Sequence, residues 1–248
     1  MYKTYLNNDD ILAITTNRLN GYSDFPYNSF NMAFHVGDVK EDVERNYQLL
    51  CKELNINYDN IHLPNQTHSD VMIEVTHNNQ VINEECDALF TKSKNIYLGV
   101  LTADCCPILV YDTKNKIVAA IHAGWVGSVK LITYKSIKYL IEHEQLSPKH
   151  TKVFIAPCIK KRNYEVGQDV FEAVMKYPEF YHNDLFSSLK NDKYLYDNTL
   201  FNYLQILACD IPKTNIFVDE DCTFENSDYF SYRRDRKCGR QLTLIGMR

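Results

Sequence analysis

Apolar residues recur at helical intervals in the segment VKEDVERNYQLLCKELNI that follows Asp38, where Val43, Tyr47, Leu50, Cys51 and Leu54 fall on one face and charged residues on the other. This spacing predicts an amphipathic helix with Cys51 in its buried stripe. A second helix is predicted from about Ser128 to Glu144, with Val129, Ile132, Ile137, Leu140 and Ile141 as its apolar positions and Gly127-Ser128 at its N-terminal cap. Shorter helical patterns occupy DVFEAVMKY and TLFNYLQILACD, while VFIAP, NIFVD and LTLIGM read as short buried strands. The order is mixed, without regular strand and helix alternation, and neither G-x-G-x-x-G nor a Walker A pattern is present. An α/β or α+β domain with mixed sheets is therefore expected, not a doubly wound nucleotide fold.

The most informative alternation lies in NIYLGVLTADCCPILVYDTKNKIVAAIHAGWVG, where PILVYD and KIVAAIHAG flank a polar T-K-N turn and predict a β-hairpin. A turn centred between Lys114 and Asn115 sets Cys105 opposite Gly124 and His122 diagonally beside it, on a shared face. Diagonal neighbours lie roughly 7–8 Å apart at Cα, within reach of one ion. A one-residue slip would send one of the two to the other face. Cys106 is expected to face away, into the core.

Composition narrows the class. The 248 residues are 45% hydrophobic and 24% charged, which is ample material for a packed core, and no Pro-, Gly- or Ser-rich stretch interrupts them. One continuous domain over 1–248 is expected. A net charge of -5 argues against general nucleic-acid binding, which needs a basic excess. One basic cluster, Arg233, Arg234, Arg236, Lys237 and Arg240, breaks the acidic pattern and reads either as a solvated turn or as an anion-binding face. No signal-peptide pattern and no run of transmembrane length is present, so a cytoplasmic protein with no membrane partner is expected. The eight scattered cysteines, without a C-x-x-C pair, read as reduced thiols.

Cys105 and His122 sit between polar Asp104 and the small residues Ala123 and Gly124, where backbone can approach a ligand closely. Two ligands hold zinc weakly. A third could come from His68, in the polar loop LPNQTHSDV, or from His35, in NSFNMAFHVGD, and spacing alone does not choose between them. Trp125, the only Trp, reads either as a core anchor or as the wall of an aromatic pocket.

Nearly end to end, the sequence resembles the laccase-domain family of bacterial proteins, long labelled polyphenol oxidases and more recently described as multifunctional purine nucleoside enzymes. The resemblance rests on TTNRLNGYS and PYNSFNMAFHVGD, which contain Arg18, Asn31, His35 and Asp38, on Gln66-Thr67-His68, on Asp87-Ala88-Leu89, on Thr102 to Pro107, and on His122 to Trp125. Tyr164 to Gly167, Cys222-Thr223 and FSYRRD with Gly239-Arg240 complete it. It implies that His68, Cys105 and His122 bind one zinc ion and carry the catalysis, and it marks Arg18, Asn31 and Gln66 as candidate substrate contacts. The implied fold is a layered α/β arrangement with two mixed sheets between helices, similar to a bacterial deamidating toxin with a Cys-His site. Two departures stand out: Val126 replaces the usual Arg or Lys after H-A-G-W, and Ala156-Pro157-Cys158-Ile159-Lys160 replaces G-P-x-I-G.

Two histidines and a cysteine leave one tetrahedral zinc position open, the pattern of catalytic sites. Such an ion suits hydrolytic deamination of adenosine, and phosphorolysis of adenosine, inosine or methylthioadenosine would further need a place for phosphate. The helix start expected at Ser128 and the Arg18 side chain are the candidates for that anion. A copper-dependent polyphenol oxidase shares the ligands, but no histidine lies two residues from another as in H-x-H copper clusters. A metal-free hydrolase with Cys105 as nucleophile and His122 as base is a further alternative, and a purely structural zinc site lacks an evident fourth ligand. The H-x-E and P-C-x-x-C signature of standard zinc nucleobase deaminases is missing, which leaves Asp104, Asp87 and Glu165 as unranked candidates for general acid or base.

Overall fold

The structure, a computed structural model, describes residues 1–77 and 84–248. Among these, one sheet has five strands in the order β1 (Tyr2–Asn7), β2 (Ile11–Thr16), β14 (Gln241–Met247), β6 (Tyr97–Thr102) and β3 (Ile61–His62). Its pairs are antiparallel except β3 with β6. A second, six-stranded sheet runs β13 (Ile216–Val218), β9 (Thr151–Ile155), β7 (Cys106–Asp112), β8 (Ile117–Ala123), β5 (Ala88–Thr91) and β4 (Met72–Glu74). It too is mixed, with parallel pairs at β13/β9 and β4/β5. A small antiparallel sheet of β10 (Glu165–Val166), β12 (Tyr194–Tyr196) and β11 (Phe186–Ser188) lies outside both and was not evident in the sequence.

The two large sheets face each other across an apolar layer that includes Ala13, Leu98, Val100, Leu109, Val118, Ala120, Phe154 and Ile245. Strand alternation sends the other side chains outward to helices. Leu12, Ile14, Leu242 and Leu244 pack against Val43, Tyr47, Leu50 and Leu54 of α1 (Lys40–Leu54), the helix predicted from the first apolar stripe. Ile108, Val110, Ala119 and Ile121 pack against Ile132, Ile137 and Leu140 of α3 (Ile132–Glu144) and Ile206 of α5 (Asn198–Leu207). The result is a layered α/β arrangement with two mixed sheets between helices, as expected. Strands covered on both faces carry continuous apolar runs, which explains why β7 and β8 are buried at every position.

The long helix expected from Ser128 to Glu144 is two helices. Helix α2 starts earlier, at Trp125, and ends at Val129, and Leu131 then takes a left-handed conformation (φ 64°) before α3 begins. Apolar periodicity continues through the break, so it does not reveal it. A polar face of α5 at helical spacing packs against α2 and the break. Asn198 donates to the Ala123 carbonyl (2.9 Å), Asn202 to Ser128 Oγ (2.8 Å), and Gln205 to the Ser128 carbonyl (3.1 Å). Thr133 Oγ1 donates to Asn202 Oδ1 at 2.6 Å, which closes the network. Gln205 also accepts from the Tyr134 amide at 3.1 Å, so its one amide satisfies backbone groups on both sides of the break.

The remaining helices, α4 (Gln168–Met175) and α6 (Tyr232–Asp235), flank the small sheet and the C-terminal loop. Trp125 packs with the cluster around α4 and α5, so it acts as a core anchor. Among the described residues no helix is long and apolar enough to cross a membrane.

Candidate metal centre

The hairpin β7/β8 has the register expected from its turn, with Cys106 opposite Ala123 and Pro107 opposite His122. Asp112 fixes that turn: its Oδ1 accepts from the Lys114 and Asn115 amides at 2.8 and 3.3 Å. Cys106 joins the core on the helix side, while His122 lies on the alternate face with Val118 and Ala120. Cys105 stands one residue before β7, directly after Asp104, whose φ of 91° is unusual for a residue with a side chain. Asp104 is held there by Thr223 Oγ1 (2.7 Å) and the Arg233 amide (2.6 Å), which donate to its carboxylate. The sharp bend carries the chain from one sheet to the other and presents Cys105 at the seam.

His68 arrives from the loop after β3. Gln66 anchors that loop to β6 by a two-point exchange, its Nε2 donating to the Leu101 carbonyl (2.9 Å) and its Oε1 accepting from the Leu101 amide (2.8 Å). Asp87 then gathers the rest of the loop. Its carboxylate accepts from the amides of Thr67 (3.1 Å), His68 (3.1 Å) and Ser69 (2.6 Å) and from Ser69 Oγ (2.8 Å). Lys130 donates to the His68 carbonyl at 2.8 Å.

His68, Cys105 and His122 thus converge, their donor atoms all within 4.8 Å of one another. Cys105 Sγ lies 4.0 Å from His68 Nε2, and the two imidazoles meet edge to face at 5.0 Å between centroids. Among the described residues this is the one group of three such side chains placed to hold a metal ion. His122 is buried, Cys105 half-buried and His68 exposed, so the group opens on one side. His122 Nδ1 donates to Asp87 Oδ1 at 2.7 Å, leaving Nε2 to the Cys105 side. This is the carboxylate-histidine pairing that orients metal ligands.

The electrostatics match that role. Burial alone would raise the Cys105 thiol, but the charge and hydrogen bond of His122, with His68, bring it down to about 6. Burial would lower His122, yet Cys105 and Asp87 lift it to about 9. Asp87 is opposed by burial too, and hydrogen bonds from His122 and Ser69 hold it at about 2. The thiolate is therefore present at neutral pH, the form that binds metal. Donor atoms in a tetrahedral zinc site lie about 3.5 Å apart for bonds of roughly 2.0–2.3 Å, only somewhat closer than those here. Donor set, spacing and outer carboxylate fit a single ion of the zinc type.

Gly124 makes the convergence possible. A methyl group there would lie 2.6 Å from His68 Cδ2 and 3.1 Å from Cys105 Sγ. The three side chains open into a cleft of about 750 Å3. Its walls are mostly apolar, from Phe34, Leu63, Pro64, Leu101 and Ala103, with Gln66, His35, Tyr232 and Arg240 as polar elements.

A family model described as multi-copper polyphenol oxidoreductase laccase matches residues 12–248. The chain belongs to that family. This laccase-family chain is 34% identical over 241 residues to a purine nucleoside phosphorylase of Haemophilus influenzae, covering 95% of itself and 94% of that protein. It is 30% identical over 257 residues to the purine nucleoside phosphorylase YlmD of Bacillus subtilis, with 99% and 92% covered. Its fold superposes on the crystal structure of the Bacillus licheniformis protein YfiH with a TM-score of 0.92, at 28% identity over 96% of this chain and 93% of that one.

Other residues singled out in the laccase-family sequence sit elsewhere. Arg18 is not among the residues lining the cleft; it donates to the Asn28 carbonyl (2.8 Å) and Oδ1 (3.2 Å) and lines a separate cavity with Phe25, Arg234 and Lys237. Asn31 is fully buried, and its amide is engaged by Ala33, Asp38 and the Arg240 amide. Gln66 lines the cleft, although Leu101 occupies both ends of its amide. His35 lines the cleft without joining the three ligands. Of the candidate carboxylates, Asp104 and Glu165 do not line the cleft, and Asp87 acts through His122. The helix start expected at Ser128 does not exist, since that residue is buried within α2.

Proposed function

We propose that this chain is a zinc-dependent purine nucleoside enzyme that cleaves adenosine or inosine by phosphorolysis and deaminates adenosine, with His68, Cys105 and His122 as its metal ligands. The observation that carries the reading is the convergence of these three side chains, oriented by Asp87, at the floor of a cleft of about 750 Å3. The names of the Haemophilus influenzae and Bacillus subtilis relatives support the nucleoside as substrate. A cleft of this size suits a small ligand. Three protein ligands leave an open coordination position, so zinc when bound supplies a Lewis acid.

The chain's own residues supply the setting. Asp87 holds the His122 ring by its Nδ1 hydrogen, so that imidazole keeps its orientation without substrate, and it fixes the backbone from which the His68 ring projects. Phe34, Leu63, Pro64 and Leu101 give apolar walls against which a purine base is shielded from water. In phosphorolysis a phosphate oxygen attacks C1′ of the ribose as the C1′–N9 bond breaks, and the base leaves with the electron pair and takes up a proton. In deamination water adds at C6 and ammonia leaves.

A second reading is favoured by one observation. The Cys105 thiol, brought to about 6 beside His122, is also the ionised nucleophile of a metal-free Cys-His hydrolase. Copper remains the alternative metal, because it outranks zinc for such ligands. Elemental analysis of protein expressed without added metal separates these, with about one zinc per chain expected. The same protein should convert adenosine to inosine without phosphate, and release free base with ribose 1-phosphate only when phosphate is added. Absence of any purine nucleoside turnover by zinc-replete protein overturns the proposal, while phenol oxidation confined to copper-loaded protein marks that activity as incidental.

A further inference from the structure

The five basic residues near the C-terminus separate sharply once their contacts are compared. Arg234 donates to the carbonyls of Thr223, Phe224 and Tyr229 and Arg233 to that of Glu165, so both guanidinium groups brace the loop. Arg236 and Lys237 are exposed, and Lys237 lines the Arg18 cavity. Arg240 is the member that lines the metal cleft. No Asp or Glu lines that cleft among the described residues, and Arg240 has no ion-pair partner among them. A guanidinium on a wall that carries no carboxylate favours an anion beside it.

The geometry of Arg240 is more specific than its charge. Its Nη1 donates to the carbonyls of Cys238 (2.8 Å) and Gly239 (2.9 Å), which fixes the guanidinium plane through one nitrogen. Nε and Nη2 have no protein acceptor among the described residues, and they form the parallel fork that matches an oxyanion. The backbone is fixed as well, by the Arg240 amide on Asn31 Oδ1 (2.9 Å) and the Met32 amide on the Arg240 carbonyl (3.1 Å). Gly239 permits this, since a methyl group there would lie 2.9 Å from Asn31 Oδ1 and 2.7 Å from Phe230.

A separate observation points to a ligand in the same cleft. Thr102, 1% exposed, contributes to the wall, and its buried Oγ1 has no hydrogen-bond partner among the described residues. A buried hydroxyl without a partner is rare in proteins and calls for an explanation, of which a bound water, ion or ligand is one. His35 lines the cleft too, and burial together with the Arg240 charge lowers its pKa, so a neutral imidazole able to donate one hydrogen stands there.

We propose that Arg240, with Thr102 and His35, forms an oxyanion subsite of the metal cleft that takes a phosphate group. The phosphate is either inorganic or carried by a nucleotide. Its role as the second substrate of phosphorolysis rests on the nucleoside reading above. This subsite takes the place of the expected Arg18 and Ser128 contacts, neither of which faces the cleft.

The test is equilibrium binding of inorganic phosphate and, separately, of adenosine 5′-monophosphate to the zinc-loaded protein by calorimetry. Arg240→Gln is expected to weaken binding by about tenfold or more, as removal of a charged hydrogen-bond donor does. Thr102→Val should weaken it severalfold, and Lys237→Gln should match the unaltered protein. Loss confined to inorganic phosphate identifies the free ion as the occupant, and loss confined to the nucleotide identifies its phosphate. Arg240→Lys keeps the charge without the fork, and a severalfold loss there supports the subsite even if Arg240→Gln folds poorly. Both anions bound equally by Arg240→Gln and the unaltered protein, or bound by neither, would overturn it. Phosphorolysis with an unchanged phosphate KM in Arg240→Gln overturns the subsite and leaves the nucleoside reading standing. Arg240-dependent phosphate binding without nucleoside cleavage does the reverse.

Discussion

Asp87 accepts a 2.7 Å hydrogen bond from Nδ1 of His122 while the same carboxylate accepts the His68 amide at 3.1 Å. One side chain thereby positions two candidate ligands that lie far apart in sequence. Asp87→Ala should weaken zinc binding by about 10–100-fold, the usual effect of removing an outer partner. Competition with a chromophoric chelator reads this directly, and an unchanged affinity would show that the ligands hold their places without Asp87.

The adjacent cysteines provide an internal control. Cys105→Ala should abolish tight zinc binding, because it removes the thiolate, whereas Cys106→Ala should keep the metal and lower stability by about 1 kcal/mol. Cys105 is half-buried and the other cysteines are buried, so chelator-treated protein should be alkylated first at Cys105, and added zinc should protect it. Peptide mapping that finds Cys106 labelled as readily would reverse the assignment of faces.

Gly124→Ala places a methyl group 2.6 Å from the His68 ring. His68 is on an exposed loop and can move away, so the expected result is a zinc affinity reduced by about tenfold or more, with little change in the melting temperature of the metal-free protein. If melting falls and affinity holds, the glycine serves the hairpin and not the metal.

Lys3 Nζ lies 2.7 Å from Asp219 and 3.0 Å from Asp221, tying β1 to the chain after β13. Burial acts to raise the Asp221 carboxyl, but the hydrogen bond and charge of Lys3 hold it below its usual value. A carboxyl depressed by folding stabilises above its unfolded pKa of about 3.9, and that contribution is lost as pH falls through the folded value. Asp221→Asn should therefore cost no more than about 1 kcal/mol at pH 7, Lys3 and Asp221 both being more than a third exposed, and less at about pH 2. Urea melts at the two pH values check it; an equal cost at both would place the effect in packing.

Local signals were legible in the sequence wherever the physical cause is local. The stripe from Val43 to Leu54 gives α1, and the turn at Lys114 and Asn115 fixes the register that puts Cys105 and His122 on one face. Alternation also separates Cys106 from Cys105. Motif resemblance, not spacing, chose His68 over His35, because nothing local distinguishes two polar loops each with one histidine.

Tertiary structure decided what depends on distant segments meeting. The break at Leu131 is bridged by Gln205 of another helix, which pairs with the Ser128 carbonyl and the Tyr134 amide, so the apolar period of residues 128–144 runs through it unmarked. Asp87 and Asp104 are equivalent carboxylates in sequence, and only the folded chain gives one to His122 and the other to Thr223 and Arg233. Arg18 and Arg240 are likewise indistinguishable as charges until the sheets bring Arg240, and not Arg18, to the cleft. Periodicity records which face of an element is buried, since that depends on neighbours a few residues away. Which side chains share a site depends on how the two sheets stack, and that is set by the packing of the whole chain.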